Sequence, residues 1–189
     1  MKKNLIILSS LVILVAVFCF FYKYNYKKDD FKNDSSKNIN LEIKNFDDCL
    51  KSGNPVMESY PRQCRAIDGS VFVENIGNEL EKKDLIMVNN PRPKMAIESP
   101  LEISGEARGY WYFEASFPVE IINSNGEIIS TTIATAQSDW MTEEFVPFSS
   151  KLEFNQQEAG SDGKIIFKKD NSSGLPENDD FLEMPIIFK

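Results

Sequence analysis

Two groups of residues in this chain have the types and spacing to do chemistry, a pair of cysteines and a run of aromatics. Cys49 and Cys64 enclose 14 residues that include Gly53, Pro55 and Pro61. Closing a loop of that size as a disulfide contributes roughly 3 kcal/mol. The chain has no histidine, so a metal would have to be held by these sulfurs plus carboxylates, which is not a usual structural zinc set. The spacing is not Cys-x-x-Cys, the arrangement of a redox dithiol. A disulfide is therefore expected.

The aromatic run is Tyr110, Trp111, Tyr112 and Phe113, beside Gly109. On a strand, alternate members point to opposite faces, so a strand here would turn one pair outward. Outward aromatics stack on sugar rings or anchor a protein partner, which makes these four the candidate ligand surface. The bland reading is that they plug the open end of a β-sandwich, because large aromatics dominate cores. Trp140 is assigned to packing. Glu143-Glu144 and the stretch Glu177 to Asp180 are carboxylate pairs of the kind that hold Ca²⁺ or cleave glycosides. Neither has calcium-loop spacing, and they read as solvated loop acids. No Gly-x-Ser-x-Gly elbow or Walker loop is present, and the usual catalytic base is missing. No enzymatic activity, cofactor or metal is expected.

The elements that must position these residues are strands. Leu85-Ile-Met-Val is a first strand, halted by Asn90-Pro-Arg-Pro, since proline cannot donate to a ladder. Leu101 and Ile103 share one face; Phe117, Val119 and Ile121 another; Ile129, Thr131 and Ile133 follow the Asn125-Gly126 hairpin turn. Phe148, Ser150, Leu152 and Phe154 form the next face, then Ile165 and Phe167, and finally Leu182, Met184, Ile186 and Phe188. About seven strands with turn signals between them, and no long amphipathic helix, predict an all-β, immunoglobulin-like sandwich over 85–189.

Upstream the chain reads as delivery. Leu5 to Tyr22 carries no charge and spans roughly 27 Å as a helix, just enough to cross a bilayer. Bulky aromatics occupy its end, where a signal-peptidase site needs small residues. Residues 1–28 are therefore expected to be an uncleaved signal anchor or transmembrane helix. Cys19, preceded by Phe18, lacks the small residue of a lipobox and reads as a buried apolar cysteine. Tyr22, Tyr24 and Tyr26 would form an interfacial belt. Residues 29–45 follow as a polar linker, 46–76 as a small two-cysteine module and 77–84 as a charged linker. The expected disulfide places the C-terminal bulk outside the cytoplasm, on a single-pass cell-membrane protein.

There are 21 basic and 29 acidic residues, and five of the basic ones precede Asp29. Everything beyond carries 16 basic against 29 acidic residues, a balance of −13. Binding through nucleic-acid phosphates needs the opposite sign, so a nucleic-acid partner is not expected. Docking on an anionic lipid surface is disfavoured for the same reason.

Several separated motifs now carry a family resemblance. Ile97-x-Ser-Pro-Leu-x-Ile-Ser-Gly, Ala107-Arg-Gly-x-Trp-x-Phe-Glu, Phe117-Pro-Val, Ala134-Thr-Ala-Gln, Asp139-Trp-Met-Thr, Phe145-Val-Pro-Phe and Asn171-x-Ser-Gly-Leu-Pro-Glu-Asn-Asp occur in that order. Together they resemble the immunoglobulin-like domain of bacterial spore germination, the Gmad2 type. The resemblance implies an extracytoplasmic accessory or interaction domain without an established catalytic residue. The stretch from Cys49 to Arg65 resembles a small module found beside other domains in bacterial envelope proteins, and Cys64 followed by Asp68-Gly69 and Phe72 resembles the end of a Kazal-type inhibitor. The function expected is display of a binding or assembly domain to an envelope protein or cell-wall component. The alternatives are a peptidoglycan-binding module using the exposed aromatics, a hydrolase using loop carboxylates, and protease inhibition by the cysteine loop.

Overall fold

The computed structural model describes residues 42–189. The expected anchor at 1–28 and nearly all of the 29–45 linker lie outside the described residues. Among those described, no helix is long and apolar enough to cross a membrane. Residues 43–189 form one compact unit.

That unit begins with helix α1, Phe46–Lys51. Asn45 caps it by accepting from the Asp48 N–H at 2.8 Å, and Asp47 and Asp48 complement the dipole in its first turn. Three short antiparallel strands follow, β1 (Val56–Met57), β2 (Gln63–Arg65) and β3 (Val71–Val73), with β2 in the middle. The Cys49–Cys64 disulfide ties α1 to that central strand, as the loop composition led us to expect. Phe46, Cys49, Cys64 and Ala66 make a separate small core with Ile43, Val56 and Phe72 against it. Arg62 lies 5.2 Å over the Phe46 ring and forks onto Glu74 at 2.5 and 2.9 Å.

The connector at 77–84 is fastened along its length. Asn78 donates its backbone N–H to Glu183 O at 3.2 Å, and its side chain bridges Phe181 O (3.0 Å) and the Glu183 N–H (2.7 Å). It leads into the short helix α2, Glu79–Lys82.

Eight strands make the larger sheet: β4 (Ile86–Asn90), β5 (Ala96–Ile97), β6 (Leu101–Arg108), β7 (Ser116–Ile122), β8 (Ile128–Ala136), β9 (Phe145–Leu152), β10 (Asp162–Lys168) and β11 (Phe181–Phe188). Their order is β4-β6-β9-β8-β7-β10-β11-β5. The join between β9 and β8 is short, with only Thr135 opposite Ser149 and Ala136 opposite Phe148. Here the sheet folds over, so that β4, β6 and β9 form one layer and β8, β7, β10, β11 and β5 the other. Phe148 of the first layer meets Phe117 and Phe167 of the second at ring separations of 5.0 and 6.1 Å. Gly105 makes room for that ring, since a Cβ there would lie 2.6 Å from the Phe148 Cζ. Helix α2 contacts both β4 and β11, one strand from each layer.

The period-two faces hold for β6, β7, β9, β10 and β11, whose apolar residues named above are buried or packed against the core. One expectation is corrected. In β8 the residues Ile129, Thr131 and Ile133 do not share one inward face: Ile129 packs against the core, but Thr131 and Ile133 are exposed and Ala134 is the buried residue. The pairing shifts between Ile121–Ser130 and Ile122–Ile128, a bulge that reverses the alternation along the strand. The seven strands expected are all present, and the sheet has one more. The addition is β5, two residues parallel to the end of β11 and too short to show a period.

Candidate functional site

The aromatic run is not a strand, and this is the second correction of substance. Gly109–Trp111 form a 3₁₀ turn, so the side chains follow a three-residue rather than a two-residue repeat. Trp111 and Tyr112, neighbours in sequence, are both buried, while Tyr110 and Phe113 on either side are 51% and 42% exposed. Tyr112 donates its hydroxyl to Val146 O at 2.6 Å and packs edge-on against Phe117, 5.2 Å away. Burial pushes its phenol well above the usual range. The Trp111 indole N–H is buried without an acceptor. Two of the four aromatics therefore plug the sandwich, and two face water.

The outward pair belongs to a larger surface built by three connections at the same end of the sandwich, 109–115, 137–144 and 169–180. Gly109 makes this possible: a Cβ there would lie 1.8 Å from Thr142 O and 2.3 Å from Trp140 O. Its N–H donates to Glu144 O at 3.2 Å, and the Asp170 N–H donates to Trp111 O at 3.0 Å. Glu114 and Ala115 form the tight turn back into β7 with φ of 49° and 61°, a left-handed pair that non-glycine residues enter only at a cost. Arg108 clamps the base, its guanidinium 4.0 Å over the Phe145 ring and bonded to Glu143 O and Asp84 O.

The long loop before β11 is held by its own side chains. Asn171 donates to Leu175 O at 2.8 Å and to Asp179 Oδ1 at 2.7 Å, and Asn178 donates to Ser173 Oγ at 3.0 Å. Such loops are ordered before anything binds, which lowers the entropy cost of association. What they present is apolar. Met141 is 77% exposed and Leu175 51%. Neither stood out in the sequence, where each is one apolar residue in a polar loop; that contrast was the available signal. Trp140 packs against the core, as expected.

The loop acids behave as solvated groups. Glu143 and Glu144 are exposed, Glu144 lies 3.8 Å from Arg108, and Asp180 pairs with Lys82 at 2.5 Å. Among the described residues no three His, Cys, Asp or Glu side chains are grouped to hold a metal ion. Cys49 and Cys64 sit in the small module, joined to each other and distinct from this surface.

A second concave feature lies at the opposite end, a cleft of about 740 Å³ bordered by Asn75, Lys94, the Asn123–Gly126 turn and Lys164. Its charges are already matched: Lys94 lies 3.3 Å from Asp162, and Lys164 lies 2.8 Å from Glu183.

Comparison with known proteins returns one finding. No curated protein and no solved structure matches the chain. A family model does, that of the immunoglobulin-like domain of bacterial spore germination, Gmad2, over residues 85–174. All three connections that build the surface begin within this span, and the two-layered order β4-β6-β9 and β8-β7-β10-β11-β5 is consistent with an immunoglobulin-like sandwich. The part of the chain that carries Tyr110, Phe113 and Met141 thus matches the Gmad2 domain.

Proposed function

We propose that this chain is a membrane-tethered, extracytoplasmic binding or assembly protein of the bacterial envelope, linked to spore germination, and that its contact surface is the loop end of the sandwich. Its work is contact rather than turnover. One observation carries the reading: Tyr110, Phe113 and Met141 stand exposed on loops that are already hydrogen-bonded into place. A rigid scaffold presenting apolar anchors is how recognition loops gain affinity. The partner is a protein or wall component, reached across the polar segment that precedes the folded unit.

Peptidoglycan binding through stacked aromatics is the second reading. Tyr110 and Phe113 favour it, but Trp111, the best stacking ring, is in the core.

The test is site-specific photo-crosslinking in cells. A photoreactive residue at Met141 should yield a discrete adduct, and one at Ile133 on the outer face of β8 should not. Adducts at neither position, or equal adducts at both, would overturn the reading. For the placement, a thiol reagent that cannot cross membranes should reach Cys49 and Cys64 in intact cells once they are reduced. Labelling only after lysis would reverse it.

A further inference from the structure

We infer that the loop end docks a basic protein segment bearing an aliphatic or aromatic anchor, so that lysines and arginines of the partner meet an acidic rim while its anchor covers Tyr110, Phe113 and Met141. The inference rests on the reading just given and adds to it the chemistry of the partner.

Charge is distributed unevenly between the two ends of the sandwich. The connections at the loop end hold one acid in 109–115, three in 137–144, and four against one lysine in 169–180, a net −7. At the opposite end, 91–100 carries two basic residues and one acid, 123–127 one acid and 153–161 two, a net −2. The general acidity of the chain therefore does not account for the loop end. Glu114, Asp139, Glu143 and Glu177 are exposed there, interleaved in sequence with the apolar residues they would frame. Of the nearby cations, Arg108 is held over Phe145 and bonded to two backbone carbonyls with Glu144 3.8 Å away, and Lys82 pairs with Asp180, so neither pairs with Glu114, Asp139, Glu143 or Glu177.

An apolar centre inside a single-sign rim is the layout of an interface whose partner has the other sign, since complementary charge steers encounter and rejects wrong partners. Other occupants fit less well. A second copy meeting this one end to end would set −7 against −7, an anionic lipid surface would be repelled, and a neutral glycan gives the rim nothing to do.

The experiment uses the purified full chain and three fluorescent peptides of equal length, one alternating Leu with Lys, one Leu with Glu and one Ser with Lys. Only the Leu/Lys peptide should bind. Its affinity should fall about tenfold or more between low and high salt, because exposed charges are screened beyond a Debye length. Combined Glu114→Gln, Asp139→Asn and Glu143→Gln should weaken it about tenfold, as should Phe113→Ser with Met141→Ser. Glu98→Gln, Glu153→Gln and Glu158→Gln at the other end should leave it unchanged. Equal binding of the Leu/Glu peptide, indifference to the loop-end substitutions, or equal sensitivity to the distant ones overturns the inference. A Met141 crosslink in cells to a partner lacking a basic segment would sink this inference alone and leave the proposed function standing.

Discussion

Arg92 Nη1 lies 2.6 Å from Glu79 Oε1, and the same carboxylate accepts the Tyr60 hydroxyl. The three residues come from different parts of the chain: Tyr60 from the cysteine module, Glu79 from α2, and Arg92 from the loop after β4. Arg92 also donates to Tyr60 Oη at 2.8 Å and to Val88 O at 2.6 Å. The cluster thus joins module, connector and sandwich. Burial pushes the Glu79 carboxyl above its ordinary value, with Arg92 opposing. A group raised in the folded state favours the protonated form there. Its contribution is full below the unfolded pKa and is lost as pH rises through the folded one. The stability of Glu79→Gln relative to the wild type should therefore improve as pH is taken from 4 to 7, measured by urea unfolding. A gap that moves the other way would show that Arg92 outweighs burial. Arg92→Ala, which strands the carboxylate, should cost about 1 to 2 kcal/mol at pH 7, moderated because the arginine is partly exposed.

Glu74 carries the opposite sign. Its hydrogen bonds from Arg62 hold its carboxyl below the usual range against burial. Stability from this group is present above the unfolded pKa and drains away as pH falls through the depressed one. Glu74→Gln should therefore lose ground to the wild type between pH 4 and pH 7. The same series of urea titrations reads both variants, and parallel curves for the two would contradict the assignment.

The small module depends on its cross-link. Its core is only Phe46, Cys49, Cys64 and Ala66 with three partly buried neighbours, too little apolar surface to offset ordering some thirty residues. Cys64→Ser should cost about 3 kcal/mol. Amide exchange should quicken in β1–β3 while β6, β7 and β9 stay protected. Uniform acceleration would mean that the module and the sandwich unfold together.

Phe148 is the hub between the layers. Phe148→Ala should cost about 3 to 5 kcal/mol, from lost transfer energy and the cavity left behind. Gly105→Ala intrudes on the same ring and should destabilise by about 1 to 3 kcal/mol through overpacking. Thermal unfolding of the purified protein checks both, and a loss under 1 kcal/mol for Phe148→Ala would place the core elsewhere.

Gly109→Ala separates scaffold from surface. A methyl group 1.8 Å from Thr142 O must displace the 137–144 loop that carries Met141. Crosslinking from Met141 should fall to background, while the sandwich melts within a few degrees of the wild type. Retained crosslinking would show that the close approach of these loops is not needed for contact.

Much of this molecule was legible in its residues. Where a strand is buried on one side, the chain must alternate apolar and polar residues, and β6, β7, β9, β10 and β11 do so openly enough to reveal the two-layered class and its order of motifs. The cysteine spacing and the prolines around it likewise foretold the disulfide. Local pattern failed where the backbone leaves the strand repeat. A 3₁₀ turn places Trp111 and Tyr112 together inside and Tyr110 and Phe113 outside, and a bulge inverts β8. Neither event leaves a periodic trace: the turn is set by the 137–144 loop closing on Gly109 from farther along the chain, and the bulge by one extra residue beside the hairpin turn between β7 and β8. The Tyr60–Glu79–Arg92 cluster was invisible for the same reason. No spacing rule connects three residues that meet only after the connector has been fastened to β11. The exposed apolar end with its acidic rim is likewise a property of three separate loops, and folding alone brings them to one place.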